Sequence, residues 1–171
     1  MLILKEASTL SKTKNIFQKE HFKKIDGLAG SVSSVGTILE KQPKKISIHY
    51  SDFPWDTFGC CMDYFKQVKD STIDIIISSS IDDKIKNTIA SINKQYQSNI
   101  KLWHNNGYKY EFDFITGDKQ YIKVEKASTL SSGNSWWYYT SKEHSDEEIL
   151  MLIKQTNKNF KTLLDSSSLE N

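Results

Sequence analysis

The sequence predicts an α+β fold, a single mixed β-sheet with a β-hairpin and with helices packed on at least one face. From residue 44 the predicted elements follow the order β-α-β-α-β-β-β-β-α. The alternation of strands and helices at the start is typical of parallel pairing. The later strands follow one another with only turns between them, which indicates antiparallel pairing.

Three segments predict the parallel strands. Lys45–Tyr50 alternates apolar and polar residues, as a strand does. Ile73–Ile77 is β-branched and apolar except for Asp74, a composition that suits a buried central strand. A third strand is predicted over Asn99–Trp103, and the Asn-Asn-Gly turn that begins at residue 105 follows it closely.

The helices between these strands have their own start signals. Asp56 is a candidate N-cap for a helix over about 57–69, with Trp55 and Cys60 placed as a hydrophobic staple. Ser80 is a candidate N-cap for the next helix, with Asp83 in the capping-box position.

The hairpin is predicted from two alternating segments, Tyr108–Ile115 and Tyr121–Lys126, around a tight turn. One face of the hairpin is aromatic or aliphatic, and we expect the other to face water. Because cross-strand ion pairs suit a solvated face, we interpret its charged residues in that way. These residues are Glu111, Asp113, Lys123 and Glu125. A capping box at Ser145 then begins a long amphipathic helix over about 146–164.

The chain is predicted to consist of three parts. Residues 1–42 form an N-terminal helical or irregular segment, within which 27–41 is either a loop or a short helix. Residues 43–165 form the mixed α/β core domain. We expect 166–171 to be a disordered tail, because it is short, polar and terminal.

The composition limits the classes of partner. The formal net charge is +2, and all 23 basic residues are lysines. Because arginine is the side chain that reads guanine edges in a bidentate manner, we do not expect sequence-specific DNA binding. No apolar run is long enough to span a bilayer, so no membrane association is expected.

The two cysteines, Cys60 and Cys61, are neighbours in the chain. Neighbouring cysteines rarely bridge each other, so we expect free thiols and a cytoplasmic protein. Neither these cysteines nor the four histidines have the spacing of a metal site, and the sequence predicts no metal and no cofactor.

The strongest catalytic candidates follow the first parallel strand. His49, Ser51 and Asp52 lie where that strand ends, and ligands commonly bind at the carboxyl edge of such sheets, with Trp55 as a wall. His-x-Ser on a strand is similar to one half of the two-histidine phosphoesterase signature. A second such pair is needed for proton transfer from and to the substrate, and the sequence has none.

A run of four aromatic residues is the strongest binding candidate. The run comprises Trp136, Trp137, Tyr138 and Tyr139, which alternate between the two faces of a predicted strand. Either this strand is covered on both faces, or one of its two aromatic pairs is exposed. Large aromatics are the favoured anchors of protein interfaces.

Two functions are therefore carried forward. The first is a small intracellular, non-catalytic protein-binding module of the inhibitor or immunity type, which binds another protein through an aromatic-rich surface that includes Trp55. The alternative is a hydrolase or a nucleotide- or phosphoester-binding enzyme with its site around His49–Asp56. The first is preferred because the sequence shows no complete catalytic constellation.

Overall fold

The computed structural model describes residues 23–106, 112–118, 120–126, 135–140 and 147–170. Side chains are described throughout these ranges except at 23–28, 112, 125–126 and 135–140.

Thirteen elements lie in the described part of the chain. The strands are β1 (Lys23–Asp26), β2 (Lys45–Tyr50), β3 (Thr72–Ile77), β4 (Asn99–His104), β5 (Phe112–Gly117), β6 (Tyr121–Lys126), β7 (Ser135–Thr140) and β8 (Ser168–Glu170). The helices are α1 (Gly27–Glu40), α2 (Trp55–Cys60), a 3-10 helix (Met62–Val68), α3 (Asp83–Tyr96) and α4 (Glu147–Asp165).

All eight strands form one mixed sheet, in the order β1-β7-β6-β5-β2-β3-β4-β8. Strands β2, β3 and β4 are parallel, and the other neighbouring pairs are antiparallel. Strands β5 and β6 form the predicted hairpin. The predicted α+β fold, with one mixed sheet and packed helices, is confirmed.

Two apolar cores lie on opposite faces of this sheet. Helices α1, α2 and α3 and the 3-10 helix cover one face, where they pack on alternate sheet residues that include Ile48, Ile75 and Ile115. Helix α4 covers the other face and packs on Ile76 and Phe114. The two sets alternate along the strands because successive side chains of a strand point to opposite faces.

The first predicted helix differs from its prediction. The structure divides 57–69 into α2 and the 3-10 helix, and Asp56 lies inside the first turn of α2 without making a cap. The helix begins earlier because Phe58 N donates to Pro54 O at 2.8 Å, while the rings of Phe53 and Phe58 pack 4.9 Å apart. Cys60 is exposed and does not form the predicted staple.

The cap of α3 also differs from its prediction. Asp82, and not Ser80, occupies the N-cap position, and its Oδ1 accepts a hydrogen bond from Ile85 N at 2.9 Å. Carboxylate oxygens are as effective as hydroxyls in this position.

The prediction of a disordered tail is wrong for residues 168–170. These residues form β8, which pairs with the edge of β4. The Asn105 side chain holds the turn between α4 and β8, because its Nδ2 donates to Leu163 O at 3.3 Å. Glu170 adds an ion pair with Lys86, with 2.6 Å between Oε2 and Nζ.

Part of the predicted N-terminal segment belongs to the same sheet. Residues 23–26 form β1, which pairs with β7, and α1 follows at once, so the helical alternative for 27–41 is confirmed. The boundary between 42 and 43 stays a prediction.

The expectation of a water-facing side to the hairpin is wrong for Asp113 and Lys123. Both side chains are buried, and only 1% of Lys123 is exposed. The reason is α1, which lies over this face and places Ser31 Oγ 3.3 Å from Lys123 Nζ. The side chains of Glu111 and Glu125 lie outside the described residues.

None of the helices in the described part of the chain has both the length and the apolar character needed to span a bilayer.

A close contact between α1 and the 3-10 helix gives a test of this packing. A Cβ at Gly36 would lie 2.6 Å from Cζ of Tyr64, whereas a Cβ at Gly59 would meet nothing within 4 Å. Alanine is favoured over glycine in a helix by about 1 kcal/mol. We expect Gly59→Ala to preserve or raise the free energy of unfolding and Gly36→Ala to lower it, as measured by urea denaturation. Equal effects of the two substitutions would contradict the packing.

Candidate active site at the ends of β2 and β3

Two serines follow the carboxyl ends of adjacent parallel strands. Ser51 comes directly after β2, and Ser78 comes directly after β3. The backbone ladder continues past both strand ends, because Ser78 N donates to Tyr50 O at 3.1 Å and Ser79 N to Ser51 O at 2.8 Å. The two serines are therefore held in register at one edge of the sheet.

His49 is the penultimate residue of β2, two residues before Ser51. Its side chain is completely buried and stacks on Phe114, with 5.5 Å between ring centroids. His49 is the register partner of Ile76, and Ser78 lies two residues beyond Ile76, so His49 and Ser78 share a face of the sheet. Their side chains meet there, with 3.0 Å between His49 Nε2 and Ser78 Oγ.

Asp113 joins the site from the neighbouring antiparallel strand, β5. Its Oδ1 accepts two hydrogen bonds from Ser51, from the backbone N at 2.7 Å and from Oγ at 2.8 Å. The same oxygen lies 3.8 Å from His49 Nδ1. That separation is longer than a hydrogen bond, so the interaction between the two groups is electrostatic.

Burial changes the acidity of Asp113. Removal from water raises the pKa of this carboxyl from 3.8 to about 6, although the two hydrogen bonds from Ser51 and the charge of Lys123 oppose the rise. The space between Asp113, Lys123 and Tyr50 is too tight for a water molecule. Asp113 is therefore ionised near neutral pH and can accept a proton in mild acid.

The three side chains lie next to one another in the order Asp113–His49–Ser78, and we call this set the relay. The carboxylate lies at one ring nitrogen of His49 and the hydroxyl at the other. If the proton of the neutral ring is on Nδ1, Nε2 can accept the proton of the Ser78 hydroxyl. An acid, a histidine and a serine in this order can carry out general-base activation of the serine.

The structure brings two of the three predicted catalytic candidates together. His49 and Ser51 are both in contact with the relay carboxylate, whereas Asp52 is exposed and acts on Asp113 only through its charge. Sequence reasoning missed Ser78 and Asp113. The signal available for Ser78 was its place after a predicted strand parallel to that of His49, but the pairing register was needed to use it.

Trp55 packs against the edge of the core and is partly exposed, and its role as a binding residue stays a prediction. Its ring is half-buried, packs edge-on against Phe53 at 4.7 Å, and has Lys84 Nζ 4.2 Å above it. This cation–π contact covers one face of the indole.

The aromatic run lies in β7, between β1 and β6. Trp137 is the register partner of Val124 and Tyr139 of Ile122, whereas Trp136 and Tyr138 pair with Glu125 and Lys123. Val124 and Ile122 belong to the core under α4. The side chains of 136–139 are outside the described ones, so which pair is exposed stays an open prediction.

Other chemistry in the described part of the chain is limited. Burial raises the pKa of the Cys61 thiol to about 11, so it is a poor nucleophile. No group of three or more potential metal ligands occurs among the described residues. An open groove of about 540 Å³ lies between the 3-10 helix and α3, and none of the relay residues lines it.

Comparison with known proteins places the fold but not the function. No protein-family model matches the chain. No curated protein is detectably similar to it in sequence. Solved structures with a similar fold include TrmBL2, an archaeal chromatin protein with a novel mode of DNA binding, at a TM-score of 0.60 and 10% identity.

Two further structures share the fold. Phosphatidylserine synthase of Haemophilus influenzae matches at a TM-score of 0.51 and 12% identity, over 87% of this chain and 39% of that one. Polyphosphate kinase of Porphyromonas gingivalis matches at a TM-score of 0.54 and 8% identity, over 88% of this chain and 28% of that one. The chromatin protein is matched over 97% of this chain and 64% of its own. The chain thus spans less than two thirds of each protein, and identities this low show a shared fold alone.

The raised pKa of Asp113 predicts a pH-dependent effect on stability. Because the folded pKa lies above the unfolded value, the contribution of this group is most favourable below pH 3.8 and is lost as the pH rises through about 6. A shift of roughly two units corresponds to at most ~3 kcal/mol. We therefore expect wild type to lose stability relative to Asp113→Asn between pH 4 and pH 7, in urea denaturation at both pH values. A difference that changes in the opposite direction would contradict this assignment.

Proposed function

We propose that the protein is a hydrolase that cleaves a neutral ester at the carboxyl edge of β2 and β3. The observation that carries this proposal is the 3.0 Å contact between His49 Nε2 and Ser78 Oγ, with the Asp113 carboxylate at the other ring nitrogen. The sequence alone offered His49, Ser51 and Asp52 as candidates, and the structure places a different acid, Asp113, and a second hydroxyl, Ser78, beside His49.

In the proposed reaction His49 is the general base. It accepts a proton through Nε2, and the resulting imidazolium is stabilised by the Asp113 carboxylate. Ser51 holds that carboxylate with its backbone N–H and its hydroxyl, so Ser51 is a positioning residue. The rise in the pKa of Asp113 to about 6 still leaves it ionised at neutral pH.

The burial of His49 is compatible with this role. A general base must contact the group that it deprotonates, and here that group is the hydroxyl of Ser78. Ser78 is half-buried, whereas His49 is completely buried in the low-dielectric interior. Burial disfavours a charged imidazole ring, and the Asp113 carboxylate 3.8 Å from Nδ1 opposes this cost.

The charge at this edge favours a neutral substrate. The segments that follow the two strands, Ser51–Asp56 and Ser78–Asp83, contain four aspartates and no lysine. A negative field of this kind repels anions such as phosphate esters. The names of two fold neighbours refer to phosphatidylserine and polyphosphate, but at this identity they support only the fold.

Substitution of His49 tests the proposed function. His104 is the matched control, because it ends the neighbouring strand β4 and lies 4.0 Å from Glu170 instead of the relay. We expect His49→Gln to slow hydrolysis of p-nitrophenyl acetate about 100-fold or more, and His104→Gln to have little effect. Thermal melting of both variants establishes that they fold. Equal rates for folded wild type and His49→Gln would contradict the proposal.

A second candidate function is the non-catalytic protein-binding module, of the inhibitor or immunity type, with another protein as its partner. The observation that favours it is a pair of exposed apolar residues on α4, which we call the α4 patch: Leu150 is 40% exposed and Met151 69% exposed. Exposed apolar side chains that lie next to each other are common in protein interfaces. The aromatic run of β7 and Trp55 remain proposed members of the binding surface.

A substitution on α4 tests this second function. Lys154 lies on the same helix and is exposed, so it provides a matched control. If Met151 anchors a partner, Met151→Ser should lose a protein that co-purifies stoichiometrically with wild type and with Lys154→Ala, as identified by mass spectrometry. Retention of that protein by Met151→Ser at an unchanged dissociation constant would exclude the α4 patch.

A further inference from the structure

We propose that Ser78 is a covalent nucleophile and that ester cleavage passes through an acyl-enzyme on its Oγ. This inference rests on the proposed hydrolase function and goes beyond it, because His49 could instead activate a water molecule directly. The distinction between the two reactions lies in which oxygen attacks the ester carbonyl.

The geometry favours the serine oxygen. Ser78 Oγ already occupies the position 3.0 Å from His49 Nε2 where an attacking water molecule would have to lie. The main chain that carries this hydroxyl is held in the sheet, since Ser78 N donates to Tyr50 O at 3.1 Å and the ladder continues at Ser79. A nucleophile held at its base loses little further freedom on reaching the transition state.

Ser51 is a poorer candidate for the nucleophile. Its Oγ donates to Asp113 Oδ1 at 2.8 Å, and its backbone N donates to the same oxygen. Its hydroxyl proton is therefore directed at the carboxylate, while that of Ser78 can be directed at the imidazole. The two serines have different tasks although each follows the end of a parallel strand.

The proposed reaction is balanced and involves no oxidation or reduction. Ser78 Oγ forms a bond to the ester carbonyl carbon and transfers its proton to His49 Nε2. The ester C–O bond then breaks, and the imidazolium donates that proton to the leaving alkoxide, which departs as an alcohol.

Water completes the cycle. Its oxygen attacks the acyl carbon while His49 Nε2 accepts its proton. The bond between the acyl carbon and Ser78 Oγ breaks, and Oγ recovers the proton as the carboxylic acid leaves. Asp113 keeps its proton count throughout and stabilises the imidazolium in both halves.

The carboxyl edge carries several hydroxyls, so a test must identify the reacting one. Ser78, Ser79 and Ser80 are consecutive, and Ser80 is exposed. Diisopropyl fluorophosphate forms a stable phosphoryl adduct with activated serines, with loss of fluoride. Peptide mass spectrometry then locates the adduct on wild-type protein without any substitution that could impair folding.

We expect a single adduct on Ser78, its loss in Ser78→Ala, and its retention in Ser80→Ala. We also expect His49→Gln to form it at least 100-fold more slowly. Absence of an adduct, an adduct on another serine, or an unchanged rate in His49→Gln would overturn the inference.

The same experiment separates this inference from the hydrolase itself. If Ser78→Ala remains folded and still hydrolyses p-nitrophenyl acetate at a rate that depends on His49, Ser78 is not the nucleophile, while the proposed hydrolase survives. If neither an adduct nor His49-dependent hydrolysis is found, both proposals are overturned.

Discussion

The parallel pairing of β3 with both of its neighbours is the constraint on which the rest of the structure depends. Its backbone is hydrogen-bonded to β2 on one side and β4 on the other, and Ile75 and Ile76 are completely buried on opposite faces. A slip of one residue would move the buried Asp74 to the other face and separate it from Trp103 Nε1, which donates to it at 3.0 Å, so the register is specified. The carboxyl ends of β2 and β3 therefore meet in one arrangement.

The helix that covers the hairpin brings charged groups into the interior. Asp113 and Lys123 lie under α1 because this helix covers the hairpin face that would otherwise meet water. Isolated buried charges are unfavourable, and here each has polar neighbours: two hydrogen bonds from Ser51 for Asp113, and the Ser31 hydroxyl for Lys123. The candidate site is thus part of the core packing, and the raised pKa of Asp113 follows from its burial.

Local pattern was sufficient to predict much of the fold, and the site depended on information that local pattern lacks. The alternation of Lys45–Tyr50 and the β-branched run Ile73–Ile77 predicted their strands, since those signals reside in neighbouring residues. The contact of His49 with Asp113 depends on the pairing of β2 with β5, which joins distant parts of the chain. Asp113 was misplaced for the same reason, because only the position of α1 determines that its face is covered.

The pairing of β1 with β7 has a consequence for how the protein folds. Lys23, near the start of the described chain, lies opposite Tyr138, and α1 packs on β1, β6 and β7 together. Until β7 has been synthesised, β1 lacks its only neighbour within the described sheet and α1 lacks part of the surface that it covers. Contacts between such distant segments carry a large loop-closure entropy and slow folding. On the ribosome, β1 would therefore have an unpaired backbone until β7 emerges, and unpaired strand edges of this kind are prone to aggregation.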